Sequence, residues 1–324
     1  MIDIEKAFET LDKMTAVNKS VLTELSLLND YAKYDAYRNF VLVEGSKDKR
    51  FYKKVISKNE YCAVGNIIND NQQLNSVGYN NNLQGRIQDR NNIPNMKNDI
   101  KTILKNAILS KYSNLVKERN IYGFIDRDFD EPYPANMLQS RVFSDDSHDL
   151  EIMMISSDFN VLQDIEDDIV WKALYMAYQI ALVKRYLVGD LHYRIPKDID
   201  LNRVFNDVNL NLKTYLDCVN KYSKTSQRVS FEELTKKMRY LKYLDNKNNF
   251  KYGFEDFKSL DINSYKHLIS GHDLLNLVVY LQKKEGINCN ITENELFETI
   301  LKKYNVECFK KSSIYEKLKT NNLV

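Results

Sequence analysis

Phe40-Val41-Leu42-Val43-Glu44-Gly45-Ser46-Lys47-Asp48 is the stretch on which the fold turns. Four apolar β-formers run together and stop abruptly at an acid and a glycine. Asp48 then opens a segment in which Phe51, Tyr52, Val55 and Ile56 recur at helical spacing. A short apolar strand, a sharp turn and a helix make the opening unit of an α/β fold. Buried parallel strands read as continuous apolar runs rather than as alternating ones, and Phe40 to Val43 has that character.

Working outward, Tyr61 to Ile68 reads as a second strand. Ile121-Tyr122-Gly123-Phe124-Ile125 reads as a third, ending in Asp126-Arg127-Asp128-Phe129-Asp130. Arg141-Val142-Phe143 is a further short strand. It runs into Ser147-His148-Asp149-Leu150-Glu151 and a helix that carries Ile152, Met153 and Ile155. Strand and helix alternate from 39 to 158, which predicts a mostly parallel sheet flanked by helices. Residues 69–98 are crowded with Asn, Gln and Gly and read as a long polar insertion, followed by a helix capped at Asn98 or Asp99. Residues 1–38 read as a helical lead-in. From 159 to 324 the pattern is almost wholly helical, with helices expected over about 159–188, 202–222, 231–245, 272–284 and 293–304. Three parts follow: a lead-in, an α/β domain over 39–158 and a helical domain over 159–324, in keeping with a chain too long for one core.

Composition narrows the function. The net charge of +2 excludes a broadly basic coat for nucleic acid, although local patches remain open. Four cysteines lie far apart and form no CxxC pair, which argues against a disulfide framework or a cysteine-held zinc. The first residues, Met1-Ile2-Asp3-Ile4-Glu5, are acidic and lack the apolar run of a signal peptide. The most apolar stretch, Ile169 to Val183, is too short to span a bilayer. The expectation is a cytoplasmic protein without a membrane partner.

The chemistry sits at strand ends. In open α/β sheets ligands collect at the carboxyl ends of strands. Glu44 follows one strand there, and Asp126 and Asp128 follow another. If those strands are neighbours, three carboxylates converge, and bare carboxylates that close repel strongly. A divalent cation resolves the conflict, and oxygen ligands suit Mg²⁺ or Mn²⁺. Such a centre fits phosphodiester hydrolysis, with the ion activating water or polarising a phosphoryl oxygen. Asp48, Asp130, Asp149 and Glu151 are further metal or outer candidates. Each piece has a plainer reading: a Glu-Gly turn, solvated loop acids, or helix caps.

These residues carry a resemblance. Val43-Glu44-Gly45-Ser46-Lys47-Asp48 with Phe51-Tyr52 resembles the first TOPRIM motif, and Ile125-Asp126-Arg127-Asp128-Phe129-Asp130 resembles the second. Ser147-His148-Asp149-Leu150-Glu151 and Ser270-Gly271-His272-Asp273-Leu274-Leu275 are similar to elements of one bacterial TOPRIM subgroup. That subgroup includes AriB, the effector of the PARIS anti-phage system, and is related to the nuclease half of OLD-type enzymes. The resemblance covers residues 38–158 and, more thinly, the segment to about 285. It implies a metal-dependent nuclease, a toxic defence effector controlled by a partner ATPase of the ABC/SMC-like class. RNA such as tRNA is the expected substrate, DNA stays open, and homodimerisation is implied. It also implies Glu44, Asp126 and Asp128 as catalytic metal ligands and Glu151 as a further one.

Other features stay two-sided. Lys47, Lys49, Arg50, Lys53 and Lys54 either grip substrate phosphates or form a solvated helix face. Residues 213–251 hold ten basic against four acidic side chains with tyrosines interleaved. That suits single-stranded nucleic acid or an acidic partner, or else it is a tyrosine core under a lysine surface. His148 is either an acid–base auxiliary beside Asp149 or part of a helix cap. Two rivals to the nuclease are a non-catalytic TOPRIM-like module that binds an ATPase and a phosphatase with an Asp-x-Asp nucleophile. Against the phosphatase, a strand and helices precede the Asp pair here.

Overall fold

The computed structural model describes residues 39–43, 46–56, 62–66, 121–126, 142–144, 147–191, 193, 195, 199–222, 228–287 and 290–321. Glu44, Asp128, Asp130, the 1–38 lead-in and the 69–98 insertion lie outside them.

The apolar run forms β1 (Asn39–Val43), and the periodic segment after it forms helix α1 (Ser46–Ile56). β2 (Cys62–Asn66), β3 (Ile121–Phe124) and β4 (Val142–Phe143) complete a four-stranded sheet of order β2-β1-β3-β4. All three pairings are parallel. The protein is therefore of mixed α/β class, mostly helical with a small parallel sheet, as the sequence predicts. Phe124 packs between the sheet and α1: its ring lies 4.5 Å from Tyr52 and 5.3 Å from Phe143. Val41, Val43, Phe51, Tyr52, Ile56, Tyr122 and Phe124 are all buried. The continuous apolar runs of β1 and β3 and the helical spacing along α1 thus meet in one apolar layer.

The described residues fall into two compact units. One holds this sheet, α1 and the helix Ser313–Thr320, whose Lys317 ammonium donates to the Ser144 carbonyl at 3.2 Å. The other spans the described residues from Ser147 to Phe309 and is helical. Its first helix is α2 (Leu150–Ser157) and its centre is α3 (Asp167–Lys184). From Ile169 to Val183 only Trp171 and Lys172 are not buried, so the unit's own helices cover this apolar helix. Later come α4 (Leu212–Tyr222), α5 (Phe231–Tyr240), α6 (Gly271–Lys284) and α7 (Glu293–Lys303). Within α6 the buried Leu274, Leu275, Val278 and Leu281 recur at helical spacing.

Three expected helices change, and the one expected over 231–245 stops at Tyr240, with Leu244 bridging Phe250 instead. The one expected over 159–188 begins as a 3₁₀ turn at Phe159–Leu162, restarts at Asp167 and ends in a π turn at Arg185–Asp190. The one expected over 202–222 is cut by a hairpin, Phe205–Asn206 against Asn209–Leu210, with Asp207 at φ 53°. Leu201, Val204, Phe205 and Val208 mimic a helical repeat. The competing force is Gln179 of α3, fully buried. Its amide nitrogen donates to the Val208 carbonyl at 2.8 Å, and its oxygen accepts from the Leu210 amide at 2.9 Å. A buried amide must be satisfied, and the hairpin satisfies it.

Candidate functional site

Two places bear on function, one in each unit.

In the first unit, Val43 of β1 pairs with Phe124 of β3. Glu44 is the next residue after Val43 in the sequence, and Asp126 lies two beyond Phe124. Asp126 is half-buried, and the amide of Ile125 before it donates to the Phe143 carbonyl at 3.0 Å, which extends the ladder past the end of β3. In α1, Arg50 and Lys53 are exposed while Lys47, Asp48, Lys49 and Lys54 are half-buried. Partial burial lowers the Lys54 ammonium below its ordinary pKa.

In the second unit, two elements that the sequence holds 122 residues apart come together. Asp149 is the N-cap of α2 and accepts from the Ile152 amide at 3.2 Å. Its other oxygen accepts from the Gly271 amide at 2.7 Å, at the first residue of α6. Ser270, the N-cap of α6, makes no side-chain cap of its own. One carboxylate therefore serves two helix starts, where unpaired amides and the helix dipole both favour a negative group. His148 adds a ring nitrogen 3.2 Å from Asp149, and its own amide donates to the Lys266 carbonyl at 2.9 Å. Burial pushes the Asp149 carboxyl up. The hydrogen bond and charge of His148, with the amides of Gly271 and Ile152, outweigh it and hold the carboxyl below its ordinary pKa.

Gly271 is fixed by contact. A Cβ built there would lie 2.3 Å from the Glu151 Cβ and 2.6 Å from an Asp149 oxygen. The backbone of α6 thus runs directly against the side chains of α2. The approach carries His272 to Glu151. Across from it, His272 Nδ1 stands 2.6 Å from Glu293 Oε1, at the first residue of α7. One ligand atom from each of Glu151, His272 and Glu293 lies within 4.8 Å of the other two. Glu151 is buried, with 5% of its surface exposed, whereas the His272 side chain is 63% exposed and Glu293 is 22% exposed. Helix α7 is held there by a capping box on Thr292 and by Tyr304, whose hydroxyl lies 2.9 Å from Ser157 of α2. Asp273 turns instead to Lys184 of α3, accepting at 2.7 Å on both oxygens.

Glu151 lies in the second unit with His272 and Glu293 within ligand distance of it, while Glu44 and Asp128, the strand-end acids it is expected to join, lie outside the described residues. In the sequence, Gly271-His272-Asp273 reads most plainly as a capping turn that positions α6, and Glu293 has no role in that reading. The only local signal was the Thr292-to-Glu295 capping box, which speaks of a helix start and not of a ligand. In the basic segment, Tyr215 is buried and belongs to the core, while Tyr240 is 79% exposed. No described helix is long and apolar enough to cross a membrane. No family model matches the chain, and no curated protein matches it in sequence.

The Asp149 network predicts a pH dependence. A carboxyl whose pKa is lowered by folding stabilises the fold above its unfolded pKa of roughly 3.9 and loses that contribution as pH falls through the folded value. Asp149→Asn keeps an acceptor and removes the charge. It is expected to cost about 1–2 kcal/mol at neutral pH. The deficit should shrink toward pH 3 in urea titrations read by circular dichroism. A deficit that stays constant with pH would show that the charge of Asp149 contributes nothing.

Proposed function

We propose that this chain is a metal-dependent nuclease of TOPRIM type, with Glu44, Asp126 and Asp128 as its acidic core. The observation that carries this reading is the parallel pairing of β1 with β3, with Val43 opposite Phe124. Acids that follow those two strands can share one ion only if the strands are neighbours, and β1 and β3 are. The strand order strengthens it. From β1 the chain steps to β2 on one side and to β3 on the other. The carboxyl ends at such a reversal are where open α/β sheets bind ligands. Glu44 and Asp126 are the residues that the sequence sets after those two ends.

An all-carboxylate donor set fits Mg²⁺ or Mn²⁺, hard ions that take oxygen ligands and keep waters for substrate exchange. Glu44, Asp126 and Asp128 would hold the ion, which when bound supplies an activated water and a polarised phosphoryl oxygen. Arg50 and Lys53, exposed on α1, would draw the phosphate backbone toward the end of β1. By resemblance, the substrate is RNA, tRNA being the leading case, the role is that of a toxic anti-phage effector, and a partner ATPase controls release of activity.

The test is direct. Purified chain is incubated with total cellular RNA and with plasmid DNA, in Mg²⁺, in Mn²⁺ and in EDTA, with and without a candidate ATPase. Cleavage that needs the ion is the expected result, and the substrate cut names the class. If no condition yields cleavage and no Mg²⁺ or Mn²⁺ binds in a way that Glu44→Ala abolishes, the chain is the regulatory module instead.

A further inference from the structure

We propose that Glu151, His272 and Glu293 form a binding site for one divalent transition-metal ion of the zinc class, built wholly within the second unit. The site shares no residue with the acidic core proposed above, and it stands or falls separately. It assigns Glu151 to the imidazole ligand rather than to the strand-end carboxylates.

Three observations carry it. First, three potential ligand atoms from three helices already lie within 4.8 Å of one another. Ligand atoms around a four-coordinate zinc lie about 3.4 Å apart, given bond lengths near 2.1 Å, so closing the site takes side-chain movement of about 1 Å. Second, the donors are chemically mixed. One imidazole and two carboxylates suit zinc, manganese or cobalt, whereas Mg²⁺ and Ca²⁺ prefer oxygen alone. Third, Glu151 is a nine-tenths buried carboxylate that faces this cluster. An ion shared with His272 and Glu293 would add its positive charge to the partners that this buried carboxylate already has.

The geometry has a built-in reason to persist. The Gly271 backbone presses on Glu151, and the Asp149 carboxylate ties the start of α6 to the start of α2. The Tyr304–Ser157 contact fixes α7 against α2. Each ligand therefore projects from a helix that is separately anchored, as a preformed site requires. The plainer account is that Glu151 and Glu293 serve only the dipoles of their own helices, with His272 as a surface partner. Those dipoles oppose a cation by about 0.3–1 kcal/mol each. Two full carboxylate charges and a coordinating nitrogen outweigh that. Three protein ligands and an exposed imidazole edge leave the fourth position to solvent, the arrangement of an exchangeable or catalytic zinc rather than a closed structural one.

The experiment uses the full chain carrying Glu44→Ala, freed of metal with EDTA and then titrated with Zn²⁺ by calorimetry and with Co²⁺ by visible absorption. The expected result is one ion per chain, with the visible bands of low-coordinate Co²⁺. His272→Ala and Glu293→Gln, each added to that background, should weaken binding by about a hundredfold and remove the bands. Thermal unfolding without metal should stay near that of the background protein, because His272 is exposed. Zn²⁺ should raise the melting temperature of the background protein and not that of the variants. Absence of Zn²⁺ and Co²⁺ binding overturns the proposal. So does binding that both variants retain unchanged. The nuclease reading is untouched by either result, since it is scored on cleavage with Glu44 intact.

Discussion

Asp126→Ala and Glu44→Ala should each remove metal-dependent cleavage, by about a hundredfold or more, while leaving the fold in place. The magnitude follows from the role. Disturbing the outer partners of metal ligands alone costs about 10–100-fold, and deleting a ligand removes both the ion's anchor and its orientation. Stability should move the other way. Without metal, neighbouring carboxylates repel, so deleting one relieves the fold slightly. With metal, the wild type gains about 2.7 kcal/mol at an ion concentration a hundredfold above its dissociation constant, and the variants forfeit it. Single-turnover cleavage and thermal melts with and without Mg²⁺ read both effects. Asp126 is the sharper test, because it is half-buried at the end of a described strand that is hydrogen-bonded on both sides. An Asp126→Ala protein that cuts at the full rate would sink the mechanism.

Gly271→Ala is expected to destabilise the second unit by about 3 kcal/mol or more. In an ordinary helix the change helps by up to roughly 1 kcal/mol, because alanine costs less backbone entropy. Here the added carbon would meet the Glu151 Cβ at 2.3 Å and an Asp149 oxygen at 2.6 Å. Neither is the loose end of a long side chain, so α6 must move away from α2. Overpacking typically costs 1–3 kcal/mol, and this contact lies at the severe end. The movement also lengthens the 2.7 Å Gly271–Asp149 hydrogen bond, which exposes a buried carboxylate to loss of a partner. Urea unfolding monitored at 222 nm measures the cost. A melting curve equal to the wild type's would mean that the helices do not approach this closely in solution. The same substitution should also weaken Zn²⁺ binding, since it pushes His272 away from Glu151.

How far the sequence could be read depended on how local the cause was. β1, β3 and α1 were legible because their signals are local: apolar runs of four or five residues bounded by Glu-Gly or by acids, and Phe51, Tyr52 and Ile56 at helical spacing. The hairpin at 205–210 was not legible. Leu201, Val204, Phe205 and Val208 carry a helical pattern, and the hydrogen bonds that overrule it come from Gln179, at least 29 residues away. The plain reading of His148-Asp149 as a helix cap was half of the answer. Asp149 does cap α2, but it also holds the first amide of α6, and no local pattern can announce a cap shared between two helices.

The sequence by itself determined the strands and the helix of the α/β part, its parallel sheet, and the acids at Glu44 and Asp126, because each of these follows from spacing within a few residues. The tertiary structure decided which of those pieces are neighbours. It set β1 beside β3, and it brought Glu151, His272 and Glu293 together across separations of 121 and 21 residues. Proximity of that kind is produced by packing, here by a glycine with no side chain to hold two helices apart and by a buried carboxylate that needs amides from both. Packing depends on the whole chain at once, and so no single motif contains it.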